Sequence, residues 1–161
     1  MANIESLLLA DDPDCATIVA QWYFDQWISR RSDTPLQEVL ENVCASVSTL
    51  GAPMIVLIKK NKQLVAAAQL KIREMKIYPQ YEHWIGGVYV RSQNRGMGIA
   101  ALLVKEVISQ AKLARIDTLY LQTEDLSGGI YAMLGFLPLE QVHYDGYNVL
   151  IMKYDVCSIK A

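Results

Sequence analysis

The stretch Val88-Tyr89-Val90-Arg91-Ser92-Gln93-Asn94-Arg95-Gly96-Met97-Gly98-Ile99-Ala100 joins an apolar run to an amphipathic helix through a basic, glycine-containing turn. That junction constrains the fold more than any other segment. Ile85 to Val90 has the β-branched, aromatic and glycine content of a largely buried strand, while Ile99, Leu102, Leu103, Val107 and Ala111 recur at helical spacing. A helix starting there leaves several amide N–H groups without intrahelical acceptors, and its dipole favours an anion. Gly96 and Gly98 present no Cβ to keep a ligand from the backbone, and Arg91 and Arg95 add positive charge. The turn reads as a cradle for phosphate.

A glycine turn between strand and helix also serves purely geometric ends, so the residues around it must decide. Gly96-Met97-Gly98-Ile99-Ala100-Ala101 fits the permissive dinucleotide fingerprint G-x-G-x-x-A, whereas the phosphate loop G-x-x-x-x-G-K-[ST] is absent. The dinucleotide motif should open a run of alternating strands and helices. Here it starts past the middle of the chain, and the residues beyond its helix are mostly strand-like.

Gln93-x-x-Gly96-x-Gly98 lies between Val88-x-Val90 and a later Tyr131-Ala132-Met133-Leu134-Gly135-Phe136 segment. In these residues the chain resembles the GNAT superfamily of N-acetyltransferases, whose acyl-CoA motif reads Gln or Arg, two residues, Gly, one residue, Gly or Ala. A Tyr-x-x-x-Gly-Phe segment often comes later in that family. The resemblance covers roughly residues 50 to 155; the first third matches only in its plan of one strand and two helices.

The 161 residues and 52% apolar content suit one domain, residues 1–161, with a real core. A net charge of −2 gives no global reason to expect nucleic acid or an anionic membrane as partner. Cys15, Cys44 and Cys157 are odd in number and lack metal-ligand spacing, so we expect structural thiols, no metal and a reducing, cytoplasmic setting. No apolar run reaches the roughly 18 residues of a membrane span.

The pattern predicts a strand over Ile4 to Ala10 and a helix reaching about Trp27. A second helix should have Thr34 as N-cap and Pro35 at its first position. Pro53 to Lys60 and Gln63 to Arg73 flank Asn61-Lys62 as a hairpin, and His83 to Val90 forms the fourth strand. After the motif helix come a strand over Thr118 to Gln122, a short helix over Ser127 to Leu134, and a closing hairpin around Asp145-Gly146. The expected fold is α/β, a mixed, mostly antiparallel sheet of about seven strands with about four helices, as in the acyl-CoA N-acyltransferase fold that the resemblance implies.

The resemblance further implies direct acetyl transfer from acetyl-CoA to an amine acceptor in a ternary complex. The cofactor-binding residues would then be Val88, Tyr89, Val90, Gln93, Asn94, Arg95, Gly96, Met97, Gly98, Ile99 and Ala100. By family precedent the pantetheine arm lies along the fourth strand, which splays from the fifth, and an amide near Val88 polarises the thioester carbonyl. Gly86-Gly87 would permit a bulge there. Tyr131 is the expected acid returning a proton to the departing thiolate. Glu82, or His83 beside it, is the expected base, with Glu124 and Asp125 as further candidates that equally suit helix capping. Trp22, Asp25 and Trp27 on the first helix are the expected acceptor contacts. The family's usual asparagine after the fifth strand is replaced by Thr123-Glu124. The C-terminal edge strands offer a surface for homodimer pairing. An acyl-CoA-binding protein without catalysis, or a dinucleotide module, are the alternatives, and the sequence does not choose the acceptor or fix the acyl group as acetyl.

Overall fold

The computed structural model describes residues 3–156, so Cys157 lies outside the described residues. Seven strands form one sheet in the order β1-β2-β3-β4-β5-β7-β6. They are β1 (Ile4–Leu8), β2 (Met54–Lys60), β3 (Gln63–Ile72), β4 (His83–Val90), β5 (Thr118–Thr123), β6 (Leu137–Tyr144) and β7 (Tyr147–Asp155). Every neighbouring pair is antiparallel except β4 and β5, which run parallel. This is the expected mixed sheet.

Two short turns set hairpin register. Asn61 and Lys62 have φ of 51° and 68°, and Asp145 and Gly146 have 53° and 84°, the positive pair that matches a two-residue turn to strand twist. The first helix, α1 (Ala16–Tyr23), continues through a π-helical segment at Phe24–Ile28 into the short α2 (Ser29–Arg31). Pro35 is the N-cap of α3 (Leu36–Cys44), in extended geometry with ψ 155°, rather than its first helical residue. The boundary moves by one because the backbone turns helical only at Leu36. Next come α4 (Ile99–Leu113) and α5 (Gly129–Met133).

The helices divide between the faces. On one face Leu103, Val104 and Val107 of α4 pack on Val56, Ala68, Ile85, Leu119 and Leu121, with Tyr131 of α5 alongside. On the other, Val19, Ala20 and Tyr23 of α1 and Val39 and Val43 of α3 cover Ile55, Leu57 and Ala67. A third cluster gathers Met75, Tyr78, Trp84, Val149 and Ile151. Of the cysteines, Cys15 is buried and Cys44 exposed, both free. No helix among the described residues is long and apolar enough to cross a membrane.

Candidate active site

The sheet is open in the middle. β4 and β5 share a single register pair, Trp84 with Tyr120, after which β4 diverges. Tyr81 stacks on Tyr120 at 4.0 Å between centroids, and Trp84 lies 5.7 Å from the same ring, so an aromatic cluster pins the closed end. β4 also bulges against β3: Ala67 pairs with Tyr89 and Gln69 with Gly86, leaving Gly87 and Val88 opposite Ala68 alone. Gly87, at φ 55°, occupies a conformation that costs most other residues strain.

A cavity of about 960 Å³ occupies the gap and reaches both faces of the sheet. Its walls come from β3 (Gln69, Lys71), β4 (Ile85 to Val88), β5 (Gln122, Thr123), α5 (Tyr131), and from Tyr23, Trp27 and Glu38 on the α1/α3 side.

The two glycines of β4 exist because side chains cross over them. A Cβ at Gly86 would stand 2.5 Å from Glu74 Oε1, and one at Gly87 would stand 2.8 Å from Tyr23 Cζ and 2.9 Å from Gln69 Oε1. Glu74 gets there because Arg73, at φ 48°, breaks the extended run of β3. Its carboxylate then accepts from Lys71 Nζ at 3.0 Å and Gln122 Nε2 at 2.9 Å, with the side chain only 12% exposed. The sequence reading missed Glu74. The available signal was Gly86-Gly87 itself, since paired glycines inside a strand mark close approach by other groups.

Glu82 sits differently. Its carboxylate is 54% exposed, 3.7 Å from Arg73 and 3.9 Å from His83 Nδ1, and neither Glu82 nor His83 lines the cavity. Glu124 and Asp125 also line it and, like Glu74, are engaged. Arg31 binds Glu124 at 2.7 Å, and Asp125 Oδ1 accepts from Ser127 N at 3.0 Å and Ser127 Oγ at 2.6 Å ahead of α5. Those Ser127 bonds hold the Asp125 carboxyl below its ordinary pKa.

Tyr131 faces the cavity from the α4 side, its ring edge-on to Phe136 at 6.0 Å between centroids. Burial, and secondarily the negative charge of Glu74, push its phenol up to about 12. Trp27 lines the cavity, whereas Trp22 stacks on Tyr89 at 4.9 Å and faces a smaller hollow with Gln93. Asp25 is exposed, takes a bond from Gln21 Nε2 at 2.9 Å, and does not line the cavity.

At the wide end of the gap the strand passes into the glycine turn. Gly96 and Gly98 both have φ 78°, and a Cβ at either would meet nothing among the described residues within 4 Å. Gly98 is the N-cap of α4 and brings no side chain to cap it; the first bond into the helix is Leu102 N–H to Gly98 O at 3.2 Å. The amides ahead of Leu102 are thus left for an anion. Buried Asn94 Oδ1 has no hydrogen-bond partner among the described residues. Arg95 is tied down, its Nε donating to Val90 O at 2.8 Å and its guanidinium 5.5 Å from the Tyr89 ring centroid. Met97 is exposed, with Lys60 Nζ 3.6 Å from its sulfur. Ile99 is buried against the sheet, with Ala100 at its edge, so these two contribute backbone rather than side chain.

A seven-stranded sheet parted between parallel strands, with an uncapped helix start at the mouth of the gap, defines an acyl-CoA N-acyltransferase fold. The sequence matches the Acetyltransferase (GNAT) family over residues 16–136, and the chain belongs to that family. Solved structures with the same fold include aminoglycoside 6'-N-acetyltransferase complexed with coenzyme A, 13% identical, TM-score 0.73, covering 99% of both chains. Aminoglycoside 6'-acetyltransferase type Ii is 16% identical with TM-score 0.72, over 98% of this chain and 99% of that one. An N-acetyltransferase from Staphylococcus aureus Mu50 is 16% identical with TM-score 0.70, over 97% and 99%. No curated protein sequence matches the chain.

Proposed function

We propose that the protein is an acetyl-CoA-dependent N-acetyltransferase that moves the acetyl group to a primary amine by direct transfer in a ternary complex. The observation that carries this reading is the cavity in the parted sheet, with Tyr131 on the α4 face and Glu74 on the opposite side of β4, a strand that runs on from the cavity into the glycine turn. Family membership and a coenzyme A-bound structural neighbour support it.

Donor and acceptor enter from opposite faces. The amides from Gly96 to Ala100 would hold the pyrophosphate, and the unpaired edge of β4 the pantetheine arm. Acetyl-CoA supplies an activated thioester. An amide at the Gly87–Val88 bulge, free of β5, would polarise its carbonyl.

The amine must lose a proton, and Glu74 takes it, a role supported by its lining the cavity where Glu82 does not. Tyr131 would return a proton to the departing thiolate. The two groups assist each other: when Glu74 becomes neutral, the charge that helps hold the Tyr131 proton disappears, so the phenol becomes a better acid as the thiolate forms. Burial still keeps it neutral before reaction.

Calorimetric titration with acetyl-CoA, coenzyme A and NAD tests the reading. One-site acetyl-CoA binding, lost in Gly96→Glu through the φ 78° backbone and the added charge, is expected. Response to NAD alone would refute it.

A further inference from the structure

Tyr23 Oη is buried and has no hydrogen-bond partner among the described residues, although both Tyr23 and Gln69 line the cavity. A Cβ at Gly87 would lie 2.9 Å from Tyr23 Oη and 2.9 Å from Gln69 Oε1, so the two oxygens converge over the bulge. Gln69 makes no side-chain bond among the described residues, and Tyr23 belongs to the α1/α3 face, opposite the α4 turn. A hydroxyl left unpaired in a protein interior is costly, and structures rarely keep one without use.

We propose that Tyr23 and Gln69 receive a hydroxyl that the acceptor carries near its reacting amine, which makes the substrates amino alcohols. The inference rests on the acetyltransferase reading. A ligand hydroxyl can donate to Gln69 Oε1 and accept the Tyr23 phenol proton at once, whereas an ammonium gives that proton no acceptor and a methyl group leaves both oxygens unpaired. Glu74 covers Gly86 and Tyr23 covers Gly87, the next residue along β4, so the base and the hydroxyl-binding pair lie side by side over the strand. A site built to bond a hydroxyl discriminates strongly against the analogue lacking it.

Ethanolamine and propylamine differ by a hydroxyl in place of a methyl group. Steady-state coenzyme A release with each should favour ethanolamine by roughly tenfold to a hundredfold in kcat/KM. In Tyr23→Phe the preference should fall to about threefold or less, with acetyl-CoA KM unchanged and Tm unchanged or higher, since an unpaired hydroxyl is removed. If that variant fails to fold, Gln69→Leu should erode the same preference. Equal use of both amines by the wild type, an equal loss on both in Tyr23→Phe, or acetyl-CoA binding with neither amine acetylated overturns the inference alone. Failure to bind acetyl-CoA overturns the acetyltransferase reading and this inference with it.

Discussion

Glu74→Gln separates the two carboxylates that compete for the role of base. The substitution keeps the shape over Gly86 and an oxygen for Gln122 Nε2, removes the charge, and turns the oxygen that faces Lys71 into an amide NH2. Lys71 loses its partner, but its side chain is 37% exposed and rehydrates, so stability should change by no more than about 1 kcal/mol. The kinetic effect is larger. A positioned base is worth about a hundredfold to ten-thousandfold, roughly 3 to 5 kcal/mol of barrier. Coenzyme A release, followed with a thiol reagent at saturating acetyl-CoA, should therefore fall at least a hundredfold at pH 7. An amine of pKa about 10.4 gains roughly tenfold in free base per pH unit, so the variant's rate should climb with pH and the gap should narrow by pH 10. Glu82→Gln, made in parallel, should stay within about twofold, because Glu82 is exposed and outside the cavity. The assignment is refuted if Glu74→Gln loses less than about threefold at pH 7, or if Glu82→Gln loses more.

Tyr131→Phe should lower kcat by about a hundredfold with acetyl-CoA KM unchanged; equal turnover at saturation would remove its acid role. The wild-type rate should show no fall attributable to Tyr131 between pH 7 and 10, because its phenol is held up to about 12 by burial and by Glu74. Alkaline stability has the same sign. Tyr78, pushed up to about 12 by burial and then by Glu140, and Tyr131 keep their protons in the fold while the unfolded phenols ionise near 10. Stability from both is intact below pH 10 and declines as pH rises toward 12, which denaturant midpoints at pH 8, 10 and 11 would show; an unchanged midpoint at pH 11 contradicts it.

Local chemistry is the legible part of this chain. Asn61-Lys62 and Asp145-Gly146 announce their hairpins because two-residue turns demand positive φ, and the helix after Gly98 is evident from apolar spacing alone. Pro35 stands one residue outside the helix it was expected to open, since proline suits both the N-cap and the first helical position. The π-helical segment at Phe24–Ile28 leaves no distinct period in sequence, so apolar spacing does not tell which first-helix aromatics reach the cavity. Trp27 does and Trp22 does not. Glu74 and Glu82 both lie between Ile72 and His83, and which carboxylate folds back over β4 depends on the loop path beginning at Arg73, a tertiary fact. Gly86-Gly87 predicts the bulge but not the side chains that need it.

Beyond Trp84, the inner side of β4 is an unpaired strand edge enclosed within the molecule. On an outer margin such an edge invites a neighbouring chain; inside a cleft it invites only something thin enough to enter. A pantetheine arm with its two amides would lie there as a short additional strand, so the donor would complete the sheet as well as supply the acetyl group. The ligand would then become part of the fold's stability. At a hundredfold excess over Kd, binding to the folded state alone adds about 2.7 kcal/mol, a sizeable share of what holds an ordinary domain together. Depletion of the donor would both slow this protein and loosen it.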